Sequence, residues 1–277
     1  MATPGTAGAE DQPVIGAGAA IVLQGDADSV VTNSVHVLYA RNPYERRAIA
    51  STTKMMTAYV AITHASAGHV LTVQPYVASP GETVAGLVAG QRLTVRDLLK
   101  AMLLPSGGDA AHTLAVDLAG STDRFVGWMN AAAVRLHLRH THYSTPVGLD
   151  TPSNYSSASD LARLALVLLR NQTVAGVVDQ HSARLTDGQV VINHNDLVGR
   201  YPFVVGVKTG HTNGAGYCLV GAARRGDAVV VSVVLGDPSE GTRDADTLML
   251  LRYGLGHLRP DEPLPPSRLG LADMIRS

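Results

Sequence analysis

Apolar positions along this chain follow two periods. Ala19–Gly25 (AAIVLQG) and Ser34–Ala40 (SVHVLYA) are short runs rich in β-formers around a polar stretch of Gly, Asp and Asn, and they predict two strands joined by a turn. From Ser51 to about Ala65 the spacing becomes helical, with Met55, Met56, Tyr59, Val60 and Ile62 apolar. Leu93–Leu104 predicts a second helix, with Thr94 as N-cap, Asp97 three residues on and Pro105 past the end. Asp109–Leu118 predicts a third, ending at Gly120, and Ser121–Leu138 a fourth behind a Ser-Thr cap. Tyr143–Tyr155, rich in Pro, Gly, Ser and Asn, reads as a loop. Ser159–Arg170 is almost wholly apolar and predicts a buried helix. Three strand-like runs follow, Phe203–Thr209, Gly216–Ala223 and Ala228–Gly236, the last two joined by the turn RRGD; Thr242–Leu255 closes as a helix. The run AVVVSVVLG is apolar on both faces and predicts a central strand. Strands, then helices, then strands imply one α/β layered domain whose sheet joins both chain ends.

Composition changes this picture little. With 277 residues, 45% hydrophobic and 16% charged, the chain can bury a sizeable core. A net charge of −1 excludes the basic excess of a nucleic-acid binder. Cys218 is the only cysteine, so there is no intramolecular disulfide. No stretch reaches the ~18 apolar residues of a membrane span. Met1–Pro13 has neither a basic nor an apolar signal-peptide region, and is expected to be the start of a trimmed mature form. Pro260–Ser277 is too short for a membrane-surface helix, so membrane attachment is not evident. The expected organisation is a flexible segment 1–14, a catalytic domain 15–258 and a tail 259–277 with no second β-domain.

Lysine usage draws attention to particular residues. Only Lys54, Lys100 and Lys208 are lysines among the 22 basic residues. Arginine cannot lose its proton in a protein, whereas a buried lysine can, and so can act as a base. Ser51-Thr52-Thr53-Lys54 opens the first predicted helix. Residues three apart share a helix face, so the Ser51 hydroxyl and the Lys54 amine can meet. A serine hydroxyl becomes a good nucleophile when a neighbouring base takes its proton. Alone, S-x-x-K is weak, because it arises about 0.2 times in such a chain by chance. Lys208-Thr209-Gly210 ends the strand FVVGVKT, and K-T-G arises only about 0.02 times by chance. Lys208 and Thr209 start on opposite faces of that strand, so both can reach one substrate only if it is a sheet edge beside a cleft. Ser106-Gly107-Gly108 lies between two predicted helices, where Ser106 could equally be an N-cap.

The ordered set S-x-x-K, S-x-x, K-T-G resembles the signature of the penicillin-binding proteins and class A β-lactamases. The stretches RRAIASTTKMMTAYVAI, LTVRDLLKAMLLPSGGDAA, YSSASDLARLALVLL, INHNDLVGRYP and VGVKTGHTNGAGYCLVGAARR resemble the low-molecular-mass D-alanyl-D-alanine carboxypeptidases in particular, over roughly residues 15 to 257. That resemblance implies an α+β fold of the β-lactamase/transpeptidase type. An antiparallel sheet built from both chain ends would stand beside a helical subdomain, with the active site between them. It implies Ser51 as acylated nucleophile, Lys54 as general base and Ser106 as proton shuttle to the leaving D-alanine. Lys208 and Thr209 would hold the substrate carboxylate, Gly210 would allow its close approach, and the Ser51 and His211 N–H groups would form the oxyanion hole. It also implies a peptidoglycan pentapeptide as substrate, β-lactams as covalent inhibitors, no cofactor or metal, and an extracytoplasmic location. In one place the chain departs from the pattern. Gly108 stands where the family has Asn, whose amide bonds the substrate and the first-motif lysine. Read as a plain loss, this makes the enzyme slow, and Gly108→Asn is expected to raise kcat/KM.

A β-lactamase would need a glutamate between the middle motif and K-T-G to activate the deacylating water, and no Glu occurs from Ser106 to Lys208. A non-catalytic penicillin-recognising protein is the other alternative, favoured only by Gly108. The remaining residues take plainer readings. His137, His140 and His142 lack accompanying ligands at metal spacing, so they read as a solvated loop. Lys100 reads as a surface charge, Cys218 as a small core residue, and Phe125, Trp128 and Met129 as helix packing.

Overall fold

The computed structural model describes residues 12–25, 35–258 and 264–265. The predicted turn after the first strand, and nearly all of segments 1–14 and 259–277, lie outside the described residues. In chain order the elements are β1 (Ala19–Gly25), β2 (His36–Arg41), β3 (Arg47–Ala48), a 3-10 turn (Ala50–Thr53), α1 (Lys54–His64), β4 (Val70–Thr72), β5 (Arg92–Thr94), α2 (Val95–Leu103), α3 (Gly108–Ala119) and α4 (Thr122–Arg135). There follow β6 (Tyr155–Ser156), α5 (Ala158–Leu169), α6 (Gln172–Val178), β7 (Ser182–Arg184), β8 (Val190–Ile192), β9 (Val204–Thr212), β10 (Gly216–Arg225), β11 (Ala228–Asp237) and α7 (Glu240–Leu258).

Five of these strands form one antiparallel sheet in the order β2-β1-β11-β10-β9, so both chain ends do build it. The continuous valine run of β11 is central because each of its faces meets a separate core. Val229, Val231, Val233 and Leu235 join Ile21, Leu23, Val220 and α5 on one side. Val230 and Val234 join Val22, Leu219 and Leu250, Leu251 and Leu255 of α7 on the other. The alternation is the two-residue period of a strand, with both faces apolar because both are covered. Among the described residues β9 pairs with β10 alone and forms the sheet edge. No single helix among the described residues is long and apolar enough to cross a membrane.

Local capping follows the sequence. Thr94, Ser121 and Ser157 each accept the N–H three residues on (Asp97, Arg124 and Asp160), and Gly120 closes α3 in the left-handed conformation at φ 81°. α6 and the β7–β8 hairpin have no strong period of their own and escape a sequence reading. Lys100 is not a free surface charge. Its Nζ donates to Asp97 Oδ1 at 3.0 Å and to the Arg184 carbonyl at 2.9 Å, tying α2 to that hairpin.

The two chain ends are also joined by a carboxyl pair. Asp246 of α7 accepts from the Gly16 and Ala17 N–H groups at 2.6 and 3.1 Å. Beside it, Asp237 at the end of β11 is 1% exposed. Burial first, then the Asp246 charge, pushes the Asp237 carboxyl up to about 7. Its folded value therefore lies above its unfolded one. The stability it supports is complete below the unfolded value near 4 and is lost as pH rises through about 7. Asp237→Asn cannot ionise, so its Tm advantage over wild type is expected to be larger at pH 8 than at pH 5 by about 2–4 °C or more. Paired thermal melts check this, and a difference that does not change with pH refutes it.

Candidate active site

The 3-10 turn Ala50–Thr53 carries Ser51 to the edge of the sheet, and α1 begins at Lys54. The predicted helix thus starts three residues late, yet one turn still separates the two side chains. Lys54 Nζ lies 3.0 Å from Ser51 Oγ and donates to the Val147 carbonyl at 2.7 Å. Lys54 is 1% exposed. Removal from water pulls its ammonium down to about 8, opposed by the nearby carboxylates of Glu82 and then Asp109. A lysine so placed is substantially neutral near pH 8 and can accept the Ser51 proton.

Two glycines let backbone crowd this turn. Gly148 holds φ +93°, and a Cβ there would fall 2.1 Å from the Ala50 carbonyl oxygen. Gly210 of β9 runs past the Ser51 turn so closely that a Cβ would meet Ile49 O, Ser51 N and Thr52 N, each at 3.1 Å. The neighbouring His211 stacks on Tyr217 with ring centroids 4.0 Å apart. Ala50 and Ser106, on either side of the site, both hold positive φ (46° and 67°), costly for non-glycine residues.

A cavity of about 190 Å³ is lined by Ser51, Ser106, Thr209, Gly210 and His211, with Thr83, His194, Tyr217, Glu240 and Arg243 around them. Ser106 does not cap α3: the N-cap is Gly107, with no side-chain bond. Lys208 lies behind the cavity wall, 1% exposed, its Nζ donating to the Thr209 carbonyl at 3.0 Å. Burial, then the Lys54 and Arg243 charges, hold its ammonium well below the ordinary lysine range. Arg243, 3% exposed, is held by Glu240 at 3.0 Å and Asp244 at 2.8 Å. A larger cavity of about 620 Å³, around Tyr44, Arg135, Arg139 and Arg163, is lined by none of these groups.

The structure corrects the reading of Gly108. Its backbone is helical, and its N–H donates to the Thr83 carbonyl at 2.8 Å. No room is left beside it, since a Cβ would stand 2.0 Å from Glu82 Oε1. Gly108 is absent from the cavity lining, and Gly108→Asn is more than the simple gain of a missing amide, because the Glu82 carboxylate must move to admit any side chain there. Glu82, Thr83, His194, Tyr217, Glu240 and Arg243 escaped the sequence reading. His194 and Tyr217 lie inside the quoted family-like stretches, whereas Glu82 and Thr83 come from a non-periodic loop and carry no such signal.

A mixed sheet-and-helix domain with a Ser–Lys pair facing an edge-strand K-T-G has the fold of the penicillin-binding DD-peptidases. The DD-transpeptidase of Streptomyces K15 superposes with a TM-score of 0.79 at 33% identity, covering 89% of this chain and all of that one. A carboxypeptidase structure from Francisella tularensis superposes with a TM-score of 0.81 at 26% identity, over 92% of this chain and 74% of that one. The family model for D-alanyl-D-alanine carboxypeptidase matches residues 6–239, and this chain belongs to that family. Among its relatives, the Bacillus subtilis D-alanyl-D-alanine carboxypeptidase DacF is 34% identical over 226 residues, and the Escherichia coli enzyme DacD 35% over 231. These matches take in 78% and 79% of this chain but only 58% and 59% of those two proteins. A Streptomyces K15 D-alanyl-D-alanine carboxypeptidase is 35% identical over 239 residues, 82% of its length.

Proposed function

We propose that this protein is a serine D-Ala-D-Ala carboxypeptidase that removes the terminal D-alanine from peptidoglycan pentapeptide stems outside the cytoplasm and is acylated by β-lactams. Residues 15–258 form the catalytic domain in this reading. The observation that carries it is the 3.0 Å contact between Ser51 Oγ and the Nζ of a fully buried lysine.

The edge strand β9 pairs with the extended peptide through its open backbone side. Thr209 and Arg243 line the end of the cavity that receives the terminal carboxylate, with Lys208 directly behind Thr209. Lys54 takes the Ser51 proton as Oγ bonds to the scissile carbonyl carbon, and the negative oxygen is held by the Ser51 and His211 N–H groups. The C–N bond then breaks, and the leaving D-alanine amine receives a proton by way of the Ser106 hydroxyl, which lines the same cavity. Water attacks the ester and releases the shortened peptide, returning the proton to Ser51.

Incubation with benzylpenicillin, followed by intact mass and peptide mapping, tests this reading. One covalent adduct on the peptide carrying Ser51 is expected, together with release of D-alanine from a D-Ala-D-Ala peptide. An adduct elsewhere, or none at high drug concentration, overturns it.

A further inference from the structure

The loop between β4 and β5 crosses the start of α3 and is tied down along its length. Asp109 Oδ1 accepts from the Ala85 N–H and Oδ2 from the Leu87 N–H, both at 2.9 Å. The Gly108 N–H donates to the Thr83 carbonyl, and Gln189 Nε2 donates to the Ala85 carbonyl at 2.6 Å. Glu82 is clamped within this loop. Its Oε2 accepts from the Ser79 N–H at 3.0 Å, and its Oε1 accepts from the Tyr76 hydroxyl. Burial and the Glu82 bond raise the Tyr76 hydroxyl well above its ordinary range, so it stays a donor. The oxygen that takes the Tyr76 bond is also the one pressed against Gly108, where a Cβ would lie 2.0 Å away. With the carboxylate in this position, a side chain at 108 would have to displace it.

An ionised carboxylate has about four acceptor sites, of which these two bonds use two. Of the two carboxylates that act on the Lys54 ammonium, Glu82 acts more strongly, and Asp109 is already engaged by three backbone N–H groups (Ala85, Leu87 and Ala110). We propose that Glu82 is a positioning residue for the Ser51–Lys54 pair, its carboxylate filling the place of the side chain that Gly108 lacks and serving as counter-charge to the ammonium that forms when Lys54 takes the Ser51 proton. The inference rests on the acyl-enzyme reading above. In this chain the glycine is therefore part of a substitution made by two residues, 26 positions apart in the sequence. An amide at 108 would act on the lysine by a dipole; the glutamate acts on it through space by its charge.

The two electrostatic consequences have opposite signs. Without the negative charge Lys54 loses its proton more easily, so the acid limb of the acylation profile moves to lower pH. A weaker base with no counter-charge stabilises the transition state less, so the plateau falls. A loop that merely loosened would lower the plateau without moving the limb.

The test measures penicillin acylation of the whole chain against pH for wild type and the near-isosteric Glu82→Gln. A plateau lowered by about tenfold, with the acid limb displaced to lower pH, is expected. A second arm uses the packing. Gly108→Asn alone drives its side chain into the Glu82 carboxylate and is expected to lose about tenfold or more. Adding Glu82→Ala empties that space and should bring acylation back to within about threefold of wild type. An unchanged profile for Glu82→Gln, a lowered plateau with an unmoved limb, or a double variant no better than Gly108→Asn overturns the proposal. So does normal acylation with a prolonged adduct, which would place Glu82 in ester hydrolysis instead. Failure of wild type itself to acylate on Ser51 sinks the parent reading, and the two failures are told apart by that control.

Discussion

Lys54→Arg is expected to abolish acylation of Ser51, with a fall of at least about 10³-fold in the rate of penicillin adduct formation, although the positive charge is kept. General-base catalysis contributes about 10²–10⁴-fold, and loss of a member of a nucleophile–base pair removes most of what the pair provides. Arginine holds its proton at any working pH, so it can donate to Ser51 Oγ but cannot accept from it. The buried environment that makes Lys54 useful makes an arginine at this position worse. The guanidinium would be a permanent cation beside Lys208, whose own ammonium is already disfavoured by the Lys54 charge. In wild type, the rate should rise about tenfold per pH unit at low pH and level off above about 8, where Lys54 has become neutral. Ser51→Ala serves as the zero of the scale. Acylation of Lys54→Arg within a few-fold of wild type would show that Lys54 is only an electrostatic neighbour.

Lys208→Ala is expected to lower kcat/KM for a D-Ala-D-Ala peptide by at least about 10²-fold. Free, Lys208 is buried with two other cations acting on it, and this holds its ammonium well below the ordinary range. An arriving substrate carboxylate reverses that balance, so binding should take up a proton and weaken as pH rises. Lys54 works the other way, because losing its proton removes one of the charges that suppress the Lys208 ammonium. The two lysines therefore titrate as a pair, and a bell-shaped profile of kcat/KM belongs to both. Lys208 Nζ also anchors the Thr209 carbonyl, so its loss could act through backbone position alone. A peptide whose terminal carboxylate is amidated separates the two effects. If the cation is what matters, wild type and Lys208→Ala should turn over the amidated peptide at similar rates; an equal 10²-fold gap on both peptides assigns Lys208 to structure only.

Much of the architecture was legible in the sequence, because its signals are local. A valine-rich run apolar on both faces reads as a strand covered on both sides, and β11 is central between β1 and β10. Thr94 and Ser121 cap helices as their positions predicted, because a short hydroxyl reaches the N–H three residues on. The edge position of β9 had to be assumed for Lys208 and Thr209 to serve one substrate, and the sheet order supplies it. Weakly periodic pieces such as α6 and the β7–β8 hairpin were not legible. Their stability comes from packing against larger elements rather than from their own pattern.

The same division runs through the site. Spacing along the chain determined that Ser51 and Lys54 would meet, since one helical turn brings residues three apart to one face. The residue type at position 108 determined that no side chain is offered there. Only the tertiary structure decided what those facts mean chemically. The proton affinity of Lys54 depends on how little water reaches it and on carboxylates contributed by other elements, Glu82 and Asp109. Gly108 read as a deficit becomes a space that Glu82 fills, because a loop with no periodicity of its own is pinned across α3 by backbone hydrogen bonds. Local geometry is encoded within a few neighbouring residues, whereas burial and electrostatic environment are properties of the packed whole and arise from residues far apart in the chain.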